Sequence, residues 1–460
     1  MSGRIEQREQ LTRQLSSKQL AMIAIGGAIG TGLFLGSSLA VHTAGPAVIV
    51  SYLIGAVITL LLMGALSEMA VAHPTAGSFG VYAEIYLHPW AGFTVRYTYW
   101  AAQCIAIGGE ATAIAIYCQW WFPNTPKWLW ILGFACALLY INARSVGSFG
   151  SFEYWFAMIK VVAIVLFIVF GAALLTGIGR GEAIGFSNIT AHGGFLATGW
   201  RGVWMAMVFV IFSYLGTEVV AVTAGEAKDP GTAVPRAMRS MVGRLILFYM
   251  GAIIVLMAIV PWNQIQPGSD VTASPFVKVF QLIGVPAAAH LVNFVVITAA
   301  ASSMNCNLYL VSRMMFSLAR GGYAPAAFGR VSARGTPVPA LMVSAAGLAL
   351  AIVVALLFPD SAFVYLFGIS LFGGLYAWLI IFLTHLRFRP KWDAAGHPPL
   401  AVRMYGHPFG SLAGTVAIAA IMATTWWVEG MRVTLIAGLP WLAVLTVAYF
   451  GVMRKRPAAV

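Results

Sequence analysis

Twelve long apolar runs, divided by short polar stretches, set the pattern of this chain. A helix crossing a hydrocarbon core of about 30 Å needs roughly 20 residues, and the runs lie at residues 19–41, 45–71, 98–121, 127–143, 154–176, 202–225, 245–261, 286–312, 338–357, 362–385, 409–428 and 432–452. Two of them are interrupted at a depth where a membrane helix is normally uniform. The first carries Gly26-Gly27-Ala28-Ile29-Gly30-Thr31-Gly32-Leu33-Phe34 and the sixth carries Phe212-Ser213-Tyr214-Leu215-Gly216-Thr217-Glu218. A glycine inside a helix costs roughly 1 kcal/mol relative to alanine, and backbone that unwinds in hydrocarbon persists only where it lines a cavity or lies within protein. Interrupted segments in corresponding positions of two halves mark a translocation site.

The interruptions are five spans apart. Because five is odd, residues 19–176 and 202–385 read as two five-helix repeats of opposite membrane orientation, with residues 409–452 adding two helices. The expected fold is an all-α integral membrane protein of twelve transmembrane helices, helices 1 and 6 broken, flanked by a short segment 1–18 and a tail 453–460. The fourth run is the weakest, since Trp128 to Ile141 is a short stretch that also suits a buried or interfacial helix. Charge decides for it. With twelve spans, 21 of the 27 Lys and Arg lie on the face that holds both termini, and only Lys127, Arg180, Arg201, Lys278 and Arg432 lie opposite. The positive-inside rule makes that basic face cytoplasmic.

Composition agrees: 60% of residues are hydrophobic and 9% charged, against about 25% charged in soluble domains. The net charge of +13 is scattered over inner loops rather than gathered on one face, which sets nucleic acid aside as a partner. Cys104, Cys118, Cys136 and Cys306 fall in apolar runs without metal-ligand spacing and read as small core residues. There is no phosphate-binding loop, no metal cluster and no catalytic constellation, so no cofactor, no metal and no enzymatic activity are expected. Asp229-Pro230, Pro235, Arg236, Arg239 and Arg244 read as a loop feeding a basic interfacial helix.

Unwinding frees main-chain N–H and C=O groups, and the N-terminus of the resumed half-helix adds partial positive charge. A zwitterionic amino acid suits those two poles. Its carboxylate is expected on the N–H groups of Gly30, Thr31 and Gly32, and its ammonium on carbonyls near Ala28, Phe212 and Leu215, with Ile29 and Ser213 completing the two stretches. The alternative for the first segment is a small-residue packing face. Glu218 lies deep in an apolar segment, where an acid costs about 3 kcal/mol. It is either a proton-sensitive link between site and helix motion or a structural carboxylate. Lys160, roughly 12 Å into span 5, either snorkels or joins span 1 carbonyls to span 8 hydroxyls such as Ser302 or Ser303 and exchanges a proton. Glu110 selects a cationic side chain, carries a proton, or pairs within the bundle; Asn305 is a pocket wall or interhelical glue.

The chain resembles the amino acid, polyamine and organocation transporter superfamily, and within it the bacterial permeases for aromatic amino acids, γ-aminobutyrate, lysine and proline. The resemblance covers essentially the whole chain. It rests on Ala24 to Ser37, Ala44-Gly45-Pro46-Ala47, Trp121-Phe122-Pro123, Phe152-Glu153-Tyr154-Trp155-Phe156-Ala157-Met158-Ile159-Lys160-Val161, Gly216-Thr217-Glu218, Ala224-Gly225-Glu226-Ala227-Lys228-Asp229-Pro230 and Ser312-Arg313-Met314-Met315. It implies the inverted-repeat fold of bacterial leucine transporters, a location in the bacterial inner membrane, and proton-driven amino acid uptake without sodium. It also implies that Lys160 stands where sodium-driven relatives hold an ion and that Phe212 is an aromatic gate over the ligand.

The function expected is a secondary active transporter that imports an L-amino acid, neutral or aromatic, by proton symport and alternating access. Glu218 and Lys160 would couple protonation to motion, and the partners are the amino acid, the proton and the lipid bilayer. A lysine-type cationic permease, an amino acid or amine exchanger, and a sensor that binds without transporting are the rivals.

Overall fold

The computed structural model describes residues 11, 13–34, 36–178, 182–265, 275–282, 287–358, 362–400 and 402–453. Most of the segment 1–18 and all but the first residue of the tail 453–460 therefore lie outside the described residues. The chain is all-helical. In order the α-helices are α1 Ser17–Ala28, α2 Thr31–Phe34, α3 Gly36–Ala44, α4 Val48–Ala72, α5 Ser78–Tyr86, α6 Pro89–Trp121, α7 Lys127–Arg144, α8 Val146–Thr176 and α9 Asn188–Ala191. There follow α10 Gly199–Tyr214, α11 Val219–Thr223, α12 Pro230–Ile259, α13 Pro275–Leu282, α14 Ala288–Arg320, α15 Val338–Ser344, α16 Ala346–Leu357, α17 Ala362–Ala394, α18 Phe409–Thr424 and α19 Val433–Ala448. Eight helical stretches among the described residues are long and apolar enough to cross a membrane. The fourth apolar run forms one helix of 18 residues, α7, about 27 Å long.

Local chemistry sets the helix ends. Ser16 and Gln19 form a reciprocal cap at the start of α1, which satisfies N–H groups that have no partner inside the first turn. His88 caps α6 ahead of Pro89, and Ser145 caps α8. Several helices outrun their apolar runs at one end: α6 begins at Pro89, α8 at Val146, α12 at Pro230, and α14 continues to Arg320. Hydropathy registers only the part of a helix that lies in lipid. The basic stretch after Asp229 is thus the first turns of the long helix α12, with Pro235 accommodated inside it, and not a separate interfacial helix. One of the four cysteines, Cys136, is exposed rather than in the core.

The most extensive packing is that of α6 against α14 and α17, with α1 packed against α8, α12 and α14, and α10 against α3 and α4. Outer helices show apolar stripes to the surroundings, such as Val162, Val165, Leu166 and Val169 on α8 and Leu53, Val57 and Leu60 on α4. Spacing of three and four residues gives each helix one apolar exposed face. At one end of the bundle Leu15 makes a short parallel bridge with Ala227, its N–H donating to Glu226 O at 3.1 Å.

Candidate functional site

Both interrupted runs are broken. Between α1 and α2 the chain turns at Ile29 (φ −91°, ψ 91°), and between α10 and α11 it extends at Leu215 (φ −61°, ψ 148°) and then adopts φ +94° at Gly216. Such a φ strongly favours glycine. The breaks touch through main chain: a Cβ on Gly27 would stand 3.1 Å from Gly216 O, and one on Gly32 would stand 3.1 Å from Ser213 Cα. Ser213 Oγ donates to Gly32 O at 3.0 Å. The Tyr249 hydroxyl lies 2.8 Å from Ala28 O and 2.7 Å from Ser213 O, sharing its single proton between the two breaks.

The carbonyls freed at the end of α1 meet a cation. Lys160 on α8, fully buried, donates from Nζ to Gly26 O at 2.5 Å and to Ile29 O at 2.6 Å. The carbonyl end of a helix carries partial negative charge, which favours an ammonium there. Glu153, seven residues earlier and so on the same face of α8, is buried as well and lies near enough to act on Lys160 through its charge without a direct ion pair. Its carboxylate accepts hydrogen bonds from Ser302 Oγ and from Asn305 Nδ2 at 3.0 Å. Asn305 Oδ1 in turn accepts from Asn142 Nδ2 at 2.8 Å. Gly26 has no side chain, and a Cβ there would strike the Glu153 carboxylate. Lys160 thus reaches the span 1 carbonyls, while the Ser302 hydroxyl is turned to Glu153.

Glu218 holds the second break. It accepts from Tyr99 Oη at 2.6 Å, from Trp378 Nε1 at 3.2 Å, and from the freed Gly216 N–H at 3.1 and 3.2 Å. Its two oxygens therefore tie α6, α17 and the break together.

A small cavity of about 40 Å³ lies between the breaks, lined by Gly27, Ala28, Gly30, Gly32, Phe212, Leu215 and Gly216 from the broken segments, and by Gln103, Ala106, Glu110, Ser303, Asn307 and Ser370 from the surrounding helices. Phe212 stacks on Phe367 with ring centroids 3.7 Å apart and, with Glu110 and Ser370, separates this space from a smaller one walled by Thr31, Gly109 and Leu366. Glu110 faces Ser303 and Thr31. The position of a Gly30 Cβ is 3.0 Å from Glu110 Oε1, while the other oxygen, Oε2, is buried without a hydrogen-bond partner.

Of the residues singled out from sequence, Ala28, Gly30, Gly32, Phe212, Leu215 and Glu110 line this cavity and Thr31 lines the adjoining one. Ile29 and Ser213 do not. Ile29 turns its carbonyl to Lys160, and Ser213 spends its hydroxyl on Gly32. Asn305 faces away, because positions 303 and 307 share one side of α14 and position 305 lies on the other. Glu153, Gln103, Asn307 and Tyr249 were not picked out. The signal for Glu153 was its two-turn spacing from Lys160; the other three are ordinary polar residues in long helices.

The amino acid permease family model matches residues 19–459. Among curated proteins the chain is similar to the gamma-aminobutyric acid permease of Bacillus subtilis (strain 168), 39% identical over 447 residues, which are 97% of this chain and 94% of that protein. It is also similar to an aromatic amino acid transport protein of Salmonella typhimurium (strain SL1344), 37% identical over 441 residues, 96% of this chain and 95% of that one.

Proposed function

The chain belongs to the amino acid permease family, and from that premise we propose that it carries one amino acid together with one proton across the bacterial inner membrane by alternating access. The fold is read as twelve spans, with residues 19–176 and 202–385 as inverted repeats and both termini cytoplasmic. The observation that carries this reading is the pair of broken helices meeting main chain to main chain beside a cavity. A substrate carboxylate takes the N–H groups at the start of α2. Its ammonium takes the second lone pairs of carbonyls such as Ala28 O, which a hydroxyl only partly satisfies.

Glu110 supplies the reason for a proton. It stands against Thr31, at the pole that the substrate carboxylate needs. Two carboxylates cannot share that place while both are ionised, so the substrate enters when Glu110 is protonated. Lys160 remains a fixed cation at the end of α1, with Glu153 as its counter-charge, and Glu218 links the second break to α6 and α17. The rest of the wall is neutral, with Ala106 and Leu215 beside Gln103, Asn307 and Ser370, which favours a neutral amino acid. The unpartnered oxygen of Glu110 supports a second reading, a substrate with an additional ammonium group.

Uptake by proteoliposomes tests both. A panel of radiolabelled neutral, aromatic and cationic amino acids and γ-aminobutyrate is offered with and without an inward proton gradient. Proton-stimulated accumulation of a neutral amino acid is expected. Selective uptake of an amine-bearing substrate favours the second reading, and uptake that requires sodium and ignores protons overturns the mechanism.

A further inference from the structure

A larger cavity, of about 440 Å³, lies away from the two breaks, between α4, α12 and the stretch from Val402 to Tyr405. Leu60, Leu61, Val242 and Ile246 give it apolar walls, and Arg239 and Arg403 stand among them. Both arginines are exposed. Three buried or half-buried arginines find carboxylates: Arg96 pairs with Glu84, Arg313 with Glu226 and Arg389 with Glu68. Among the described residues neither Arg239 nor Arg403 has such a partner. The outward stripe Leu53, Val57 and Leu60 on α4 leads into the groove. At Gly243 on α12 an added Cβ would meet nothing within 4 Å, so the groove is open at that point.

We infer that this groove is a binding site for an anionic phospholipid, its headgroup between Arg239 and Arg403 and an acyl chain along Leu60 and Ile246. The charge argument selects the headgroup. Two unpaired guanidinium groups at the edge of an apolar trough are neutralised by a phosphate that carries net negative charge, whereas the choline of a zwitterionic lipid cancels most of that attraction. Basic pockets between membrane helices on the cytoplasmic side recognise anionic headgroups in this way.

The test is native mass spectrometry of the purified full chain offered equal amounts of phosphatidylglycerol and phosphatidylcholine. The unaltered protein is expected to retain one phosphatidylglycerol with about thirtyfold preference, each arginine contributing about 1 kcal/mol. The double variant Arg239→Gln, Arg403→Gln is expected to bring the two lipids near parity. Gly243→Phe keeps the charges and fills the groove, and is expected to lose the bound lipid. Absence of preference in the unaltered protein, or unchanged retention of phosphatidylglycerol in either variant, overturns the inference.

Discussion

Glutamine at position 110 keeps the shape of the side chain and removes its charge. Because Glu110 already faces the Thr31 main chain, a substrate carboxylate proposed to sit on the same N–H groups would stand about 4 Å from it, a separation at which two charges interact strongly. Two unit charges at that distance repel by about 4 kcal/mol at an effective dielectric constant near 20, about a thousandfold in affinity. On the proposed mechanism, protonating Glu110 in the unaltered protein would remove that repulsion and add one proton per substrate. Affinity should then fall as pH rises, approaching tenfold per unit once Glu110 ionises, as linkage to one proton requires. Glu110→Gln needs no proton. Its substrate affinity should be flat across roughly pH 5 to 8, exchange of internal for external substrate should continue, and accumulation driven by a proton gradient should be lost. Equilibrium binding on purified protein and uptake in proteoliposomes measure these separately. A glutamine variant that still concentrates substrate on a pH gradient refutes the reasoning.

Four further outcomes follow from the geometry. Gly216→Ala places a Cβ at φ +94° and against the Gly27 carbonyl; a left-handed residue alone costs roughly 1–2 kcal/mol, so thermal melting should drop clearly, and an unchanged midpoint contradicts the contact. Lys160→Met leaves Gly26 O and Ile29 O without their donor and removes a positive charge that acts on the buried Glu153, so thermal melting should fall, and adding Glu153→Gln should restore part of it; strictly additive melting shifts argue against coupling between the two residues. Phe212→Ala removes a ring stack worth about 0.5–1.5 kcal/mol and opens the partition between the two spaces, so the half-saturating substrate concentration should rise severalfold, whereas an unaltered value removes Phe212 from the site. Asn307→Ala should change the order of preferred substrates while Asn305→Ala should lower stability and leave that order alone; the reverse result means that α14 is rotated from the orientation described.

The breaks were legible because their cause is local. Clustered glycines and an acid in an apolar run are visible one residue at a time, and the chain does turn at Ile29 and at Leu215 to Gly216. The helix ends were less so, since Arg96, Glu153 and Arg313 belong to helices but lie where composition turns polar, and a hydropathy window closes before reaching them. Glu153 fell just outside the span assumed to begin at Tyr154, and with it went the partner of Lys160. Asn305 and Asn307 show another limit. Both are polar residues in one helix, and only the rotation of α14 about its axis decides which meets the cavity. That rotation is set by packing against α6 and α8, information that no single segment carries.

The contact of Gly27 with Gly216 has a consequence for how such a carrier diverges. The groups proposed to grip the substrate are peptide groups, common to every amino acid, so no exchange of one residue for another rewrites their chemistry; it only inserts bulk where none fits. On that proposal selectivity is free to drift at Gln103, Ala106, Asn307 and Ser370, while the hold on the substrate's ammonium and carboxylate groups would pass unaltered from one specificity to the next.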